Sequence, residues 1–124
     1  MKKMTFVVTD DALFMRVLLR KMLEQNPDFE VVAEACNGLE AIDAAKKYQP
    51  HIMTLDITMP VMDGIHAVPE IMRVSPMTRI IMVTAMGQQS MVVEAIKHGA
   101  KDFVIKPFEK SRVYQAIQNV MAMG

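Results

Sequence analysis

The sequence feature that most constrains the fold is a short apolar run that ends in a carboxylate. Residues 51–56 read His-Ile-Met-Thr-Leu-Asp, and the turn residues Pro60 and Asp63-Gly64 follow soon afterwards. An apolar run of this length with turn residues close behind it is typical of a buried strand. Because an unpaired buried charge is costly, Asp56 at the end of this strand either has a structural partner or is held ready for chemistry.

The remaining chain alternates between strand-like and helix-like segments. We expect further strands at residues 5–9, 30–34, 79–84 and 102–106, with 30–34 at a sheet edge. We expect helices at residues 12–25, 38–48, 64–74, 89–97 and 109–121. Connections too long for hairpins indicate βαβ crossovers and therefore an α/β fold with a five-stranded parallel sheet covered on both faces. The flavodoxin-like (βα)5 arrangement with strand order 2-1-3-4-5 is the expected topology.

Two helices carry details that the structure can test. In the first helix, helical spacing predicts an apolar face made of Phe14, Val17, Leu18 and Met22, with the basic residues forming a solvated face. In the segment 64–74, Pro69 removes a backbone donor, so we expect either a kink or a helix that begins late with Pro69 in its first turn.

Composition limits the classes of function. The chain has 124 residues, which we interpret as one domain over residues 1–124, and no apolar stretch approaches the ~20 residues of a membrane span. Fourteen Lys and Arg residues balance fourteen Asp and Glu residues, which argues against direct binding to nucleic acid or to a membrane surface. The single Cys36 excludes an internal disulfide and a cysteine-based zinc site. We therefore expect a cytoplasmic monomer.

Reactive side chains stand at the ends of four of the five predicted strands: Asp10-Asp11, Asp56, Thr84 and Lys106. Each has an ordinary structural explanation alone, such as a helix cap or a solvated lysine. Because the carboxyl ends of parallel strands share one edge of the sheet, where ligands bind, all four are expected to meet there. Three carboxylates and one ammonium leave a local charge of about −2, and hard oxygen ligands favour Mg²⁺. A carboxylate nucleophile beside a metal ion, a hydroxyl and an ammonium meets the needs of phosphoryl transfer.

These residues resemble the motifs of the response-regulator receiver family over essentially the whole chain. The matching set comprises Asp10-Asp11, Asp56 followed by Met-Pro-Val-Met-Asp-Gly at 59–64, Thr84-Ala85 and Lys106-Pro107-Phe108. Four further stretches, at residues 11–16, 56–60, 85–91 and 99–103, are similar to the single-domain chemotaxis regulators of Gram-positive and some thermophilic bacteria.

The resemblance implies a role for each site residue. Asp56 would be the phosphoacceptor for a histidine kinase, which in chemotaxis is CheA-like, and Thr84 and Lys106 would hold the phosphoryl oxygens. Mg²⁺ would be bound by Asp11, Asp56 and the backbone carbonyl of Thr58, with Asp10 acting through water. The Lys106–Pro107 bond would be cis. Thr84 and Phe103 would form the switch that repacks the surface of the fourth helix, fifth strand and fifth helix, where an output partner binds; the flagellar motor switch is one such partner.

The sequence departs from the family pattern in its switch and hydrolysis positions. Phe103 replaces a frequent tyrosine, so the switch would work by ring packing without a hydroxyl bond. Met86 cannot orient a water and Thr58 is a weak substitute for an amide, so we expect slow self-dephosphorylation. Kinase docking would use the first helix and the loop after Lys106, including Phe14, Met15 and Phe108.

Three alternative functions stay open at this stage. The chain could be a receiver domain from a longer transcriptional regulator, or a pseudo-receiver that binds partners independently of phosphate. A flavodoxin-like cofactor binder is the third alternative, although no Gly-rich phosphate loop follows the first strand.

Overall fold

The computed structural model describes residues 2–123, which form five strands alternating with five helices. The strands are β1 (Met4–Thr9), β2 (Phe29–Ala35), β3 (Ile52–Asp56), β4 (Arg79–Ala85) and β5 (Asp102–Lys106). The helices are α1 (Leu13–Glu24), α2 (Gly38–Tyr48), α3 (Gly64–Val74), α4 (Gln89–Lys97) and α5 (Lys110–Ala122).

All neighbouring strands pair in parallel, in the order β2-β1-β3-β4-β5. This confirms the predicted α/β fold, its strand order and the edge position of β2. Asp56 pairs with Val83, and Lys106 pairs with Ala85 at the end of the neighbouring strand pair. The register therefore aligns the carboxyl ends of the central strands along one edge of the sheet.

The core consists of two layers, one on each face of the sheet. Along β1 the side chains alternate, so that Phe6 and Val8 pack in one layer while Val7 packs in the other. Helices α1 and α5 cover the first face, and α2, α3 and α4 cover the second. Burial on both faces explains why β3 and β4 read as continuous apolar runs rather than as alternating ones.

The predicted apolar face of α1 is only partly correct, because Met22 packs against the core while Phe14 and Val17 are exposed. The buried side chains of α1 are Leu19 and Leu23, whereas Phe14 is 73 % exposed and Val17 is 40 % exposed. Apolar residues occupy most positions of this helix, so spacing alone allows more than one apolar face. Packing against the sheet selects the face that carries Leu19 and Leu23, and it leaves Phe14 on the surface.

Helix α3 runs continuously from Gly64 to Val74 with Pro69 inside it, so the predicted late start is wrong. Asp63 caps the helix by accepting a hydrogen bond from the backbone N–H of His66 at 2.8 Å. Buried Ala67, Val68 and Ile71 anchor the helix to the core on both sides of the proline. This cap and this packing outweigh the backbone hydrogen bond that Pro69 removes.

None of the helices in residues 2–123 is long and apolar enough to cross a membrane.

Candidate functional site

Three carboxylates converge at the carboxyl edge of the sheet. Asp10 and Asp11 follow β1 directly, and Asp56 is the last residue of β3. One carboxylate oxygen from each of the three lies within 4.8 Å of those of the other two. Asp10 and Asp56 are buried, while Asp11 is exposed. The cluster therefore has a buried floor and one carboxylate that is open to solvent.

Asp10 is fixed by hydrogen bonds to both of its carboxylate oxygens and from its backbone N–H. Its Oδ1 accepts a hydrogen bond from the backbone N–H of Ala12 at 2.9 Å, and its Oδ2 accepts one from Nζ of Lys106 at 2.8 Å. Its own N–H donates to the carbonyl of Ala35 in β2 at 3.0 Å. These bonds fix the loop between β1 and α1, and with it the direction of the Asp10 carboxylate.

Arg16 supports the site in a way that the sequence did not predict, although it lies in the stretch 11–16 that resembles the family. Its Nη1 donates to the backbone carbonyl of Asp10 at 2.7 Å, and its Nε donates to Oε1 of Glu34 at 3.0 Å. The side chain is only 16 % exposed, so the prediction of a wholly solvated basic face on α1 is wrong for this residue. Arg16 lies four residues after Ala12, the residue that precedes α1. Because one helical turn spans about 3.6 residues, Arg16 lies on the same side of the helix as the loop that carries Asp10.

Lys106 lies between the two buried carboxylates. Its Nζ is 2.8 Å from Oδ2 of Asp10 and 3.5 Å from Oδ2 of Asp56. Partial burial alone would lower the pKa of Lys106, but the hydrogen bond to Asp10 and the charges of Asp56 and Asp10 outweigh it and raise that pKa. Lys106 is therefore a cation at neutral pH. The Lys106–Pro107 peptide bond is cis, the form that the family resemblance implied.

Asp56 lies in an unusual electrostatic environment. Burial, followed by the nearby charge of Asp10, raises the pKa of Asp56 to about 6, although Lys106 and the N–H of Ile57 act in the opposite direction. One ammonium group does not fully compensate the two buried carboxylates. An additional cation beside Asp56 would stabilise its charged form.

The backbone around Asp56 leaves no space for a side chain at Gly64. The N–H of Gly64 donates to the carbonyl of Ile57 at 2.7 Å, which closes the loop between β3 and α3. A Cβ at this position would overlap the carbonyl oxygen of Asp56. Gly64 is thus required by the close approach of two backbone segments.

Thr84 is fully buried near the end of β4, and its hydroxyl is hydrogen-bonded to groups other than the three carboxylates. Its Oγ1 donates to Oε1 of Gln88 at 3.0 Å, with the carbonyl of Ala85 as a second acceptor at 3.3 Å. Nε2 of Gln88 in turn donates to Oγ1 of Thr58 at 2.9 Å. Gln88 therefore joins the loop after β4 to the loop after β3. Gln88 lies in the stretch 85–91 that resembles the family, but the sequence assigned it no role, because its contacts depend on how the two loops meet.

Phe103, the residue expected at the switch position, is half-buried and packs against the core layer under α2, α3 and α4. It also lines a surface cavity of about 510 Å³ together with Ile105, Pro107, Phe108 and Arg112. Its aromatic ring thus borders both the core and the surface between β5 and α5.

The donor set fits a hard divalent cation. Three carboxylate oxygens within one small volume supply the ligand type that Mg²⁺ takes, and the exposed side of Asp11 allows retained waters. The uncompensated charge around Asp56 favours the same ion. The chemistry of this edge is therefore that of an acidic pocket that can hold a metal ion next to one partly buried lysine.

Comparisons with known proteins agree with this geometry. The family described as the response regulator receiver domain matches residues 6–118. The chain is 53 % identical to the chemotaxis protein CheY of Listeria monocytogenes, covering 90 % of this chain and 93 % of that protein. It is 51 % identical to CheY of Thermotoga maritima, covering 92 % and 94 %. Among solved structures, the CheX–CheY–BeF3–Mg²⁺ complex from Borrelia burgdorferi matches with a TM-score of 0.91 and 32 % identity, covering 98 % of this chain and 91 % of that chain.

Proposed function

We propose that this chain, which belongs to the response regulator receiver family, is a phosphorylation-activated regulator whose Asp56 accepts a phosphoryl group from a histidine kinase. The observation that carries the proposal is the cluster of Asp10, Asp11 and Asp56 within 4.8 Å, with Lys106 bridging its two buried members. Close relationship to CheY proteins makes chemotaxis the process in which we expect it to act. We further propose that residues 1–124 form one receiver domain.

The proposed reaction is a direct transfer between two side chains. An oxygen of the ionised Asp56 carboxylate attacks the phosphorus of a phosphohistidine, so that a P–O bond forms as the P–N bond breaks. The imidazole leaves with a proton from solvent. Lys106, which lies 3.5 Å from Asp56, is close enough to take up charge on the phosphoryl oxygens as the transfer proceeds. The protein therefore acts as a phosphoacceptor that assists its own modification, not as an enzyme with a separate substrate.

Mg²⁺ is the metal that we propose for the acidic pocket. Asp11 and Asp56 would bind it directly together with the backbone carbonyl of Thr58, and Asp10 would act through water because Lys106 and Ala12 already occupy its oxygens. When bound, the ion would neutralise the carboxylates and the incoming phosphoryl oxygens. Asp10 would keep Lys106 directed at the site whether or not the ion is present.

The signal would leave the site through Thr84 and Phe103. Thr84 would turn its hydroxyl to the phosphoryl group, and the ring of Phe103 would move into the space behind it. The surface formed by α4, β5 and α5 would then change its fit to an output partner, for which a flagellar motor switch protein is one candidate. Exposed apolar side chains on and before α4, including Met86, Met91 and Ile96, support this surface as a binding face. Exposed Phe14 on α1 supports the expected docking of a CheA-like kinase there.

The phosphorylated form should be long-lived in the isolated protein. Met86 offers no polar group and is 77 % exposed, and the hydroxyl of Thr58 is engaged by Gln88. Neither side chain is therefore suited to orient an attacking water.

The proposal is tested by NMR of the protein with Mg²⁺ and beryllofluoride, a phosphoryl mimic, in wild type and Asp56→Asn. Binding to Asp56 predicts shifts at Thr84, Phe103 and the last two helices in wild type only. The proposal would be contradicted if the mimic caused the same shift changes in both proteins. Shift changes confined to surface residues remote from Asp56 would also contradict it.

A further inference from the structure

We infer that Gln88 is a positioning residue that holds Thr84 in its resting orientation, and that a phosphoryl group on Asp56 competes with Gln88 for the Thr84 hydroxyl proton. The competition with a phosphoryl group rests on the proposed function. The positioning role concerns the protein without any ligand and can be tested separately.

The hydrogen bonds around Gln88 fix the orientation of its amide group. The backbone N–H of Ala85 can only donate, and it lies 3.0 Å from Oε1 of Gln88. The same oxygen accepts from the Thr84 hydroxyl at 3.0 Å, while Nε2 donates to Oγ1 of Thr58 at 2.9 Å. Reversing the amide would place two donors against each other at Ala85. Gln88 Oε1 is therefore the acceptor of the Thr84 proton.

Thr84 cannot keep this bond and also donate to a phosphoryl group. A hydroxyl carries one proton, which the fully buried Thr84 shares between Oε1 of Gln88 at 3.0 Å and the more distant carbonyl of Ala85 at 3.3 Å. Donation to an oxygen on Asp56 requires the Thr84–Gln88 bond to break. The free energy of that bond is thus part of the cost of reaching the phosphorylated arrangement.

Gln88 connects the state of Thr84 to the beginning of α4. It is the residue that precedes the first turn of the helix, and its carbonyl accepts from the N–H groups of Met91 at 3.0 Å and Val92 at 3.2 Å. On its other side, Gly87 has a φ of +88° and open space around it, so the chain there has few side-chain contacts. The side chain of Gln88 therefore helps to hold this end of α4 at the sheet edge, together with the bond from its own backbone N–H to the carbonyl of Ala85 at 3.3 Å. Its release would loosen the first turn of the helix.

The test compares Gln88→Met with Gln89→Met. Methionine keeps the length of the side chain and removes its hydrogen bonds, and Gln89 is an exposed neighbour on the same turn, which makes it a matched control. Without ligand, we expect Gln88→Met alone to redistribute the side-chain rotamers of Thr84, measured by NMR scalar couplings. We also expect it to accelerate amide hydrogen exchange at Met91 and Val92. Unchanged rotamers and exchange would overturn the positioning role.

With Mg²⁺ and beryllofluoride, we expect Gln88→Met to bind the mimic about fivefold more tightly than wild type or Gln89→Met, the change in equilibrium constant that one ordinary hydrogen bond produces. Thr58→Val removes only the hydrogen bond from Nε2 of Gln88, so its affinity for the mimic should lie between those of wild type and Gln88→Met. Equal or weaker affinity in Gln88→Met would overturn the competition. If wild type failed to bind the mimic at Asp56 while the ligand-free effects appeared, the proposed function and the competition would both fail, and the resting contact alone would stand.

Discussion

Lys106 donates a hydrogen bond from Nζ to Oδ2 of Asp10 at 2.8 Å, which joins the end of β5 to the end of β1 across 96 positions of the chain. Asp10 is completely buried, and Lys106 is the cation that compensates it. The same ammonium group lies 3.5 Å from Asp56. One lysine thus stabilises the floor of the acidic pocket and stands beside the proposed phosphoacceptor.

Removing this cation should destabilise the metal-free protein. Lys106→Met leaves Asp10 buried without a charged partner, and we expect the free energy of unfolding at pH 7 to fall by about 1–3 kcal/mol. Lys106→Arg keeps the charge and should lose less. Saturating Mg²⁺ should reduce the loss in Lys106→Met, since the ion supplies another positive charge. Urea denaturation with and without Mg²⁺ measures both effects, and a Lys106→Met protein as stable as wild type would refute the role of the ion pair.

The raised pKa of Asp56 predicts how stability depends on pH. Its value of about 6, against an ordinary 3.8, means that the folded protein binds more protons than the unfolded chain between about pH 4 and pH 6. Stability of the metal-free protein should therefore fall as the pH rises through this window. At pH 7 the charged Asp56 costs on the order of 2–3 kcal/mol.

Asp56→Asn removes this cost, so we expect it to raise the free energy of unfolding at pH 7 and to raise it less at pH 4.5. Urea denaturation at the two pH values, in a chelator, tests the sign. A stability gain that is equal at both pH values, or absent at pH 7, would show that the charged form of Asp56 does not destabilise the folded protein.

Gly64→Ala should affect both stability and the site. A methyl group there overlaps the carbonyl oxygen of Asp56, and the backbone must shift to relieve the overlap. We expect a loss of at least about 2 kcal/mol together with weaker Mg²⁺ binding. Gly99→Ala is the matched control, because alanine would be strained at the φ of +128° there, but its Cβ would meet the side chain of Met72 and not the backbone of Asp56. It should lose stability and keep its Mg²⁺ affinity, measured by isothermal titration calorimetry; equal losses of affinity would argue against a specific effect on Asp56.

Pro69 offers a stabilising substitution. Its ring is exposed and its missing N–H leaves one backbone hydrogen bond of α3 unmade. Pro69→Ala should raise the free energy of unfolding by about 1–2 kcal/mol, the helix gain less the greater entropy of the unfolded chain. Pro76→Ala, an exposed proline outside the helix, should give no such gain. Thermal unfolding of both variants and of wild type measures these changes in stability. A Pro69→Ala protein no more stable than wild type would mean that α3 accommodates the proline without cost.

The sequence allowed the sheet and the acidic cluster to be predicted because both follow from simple periodicities. Five apolar runs separated by helical segments leave few topologies, and a parallel sheet brings the carboxyl ends of its strands to one edge. The sequence alone therefore places Asp10, Asp56 and Lys106 at the same edge of the sheet.

The errors and omissions concern features that depend on packing. The residues of α1 are apolar in several directions, so only the sheet decides that Leu19 and Leu23 face inward. Arg16 and Gln88 act through bonds to loops that are distant in sequence or not periodic, and no spacing rule encodes such bonds. Local signals predict elements and strand ends, whereas side chains that support a site are selected by the tertiary arrangement.

Transfer of a phosphoryl group to Asp56 is tested most directly by intact-protein mass spectrometry after incubation with phosphoramidate, a small-molecule phosphodonor. With Mg²⁺, wild type should gain the mass of one phosphoryl group, and the gain should vanish in a chelator and in Asp56→Asn. Peptide mapping after borohydride reduction should place the modification at Asp56. A wild-type protein that gains no mass with Mg²⁺, or an Asp56→Asn protein that gains as much as wild type, would contradict the account.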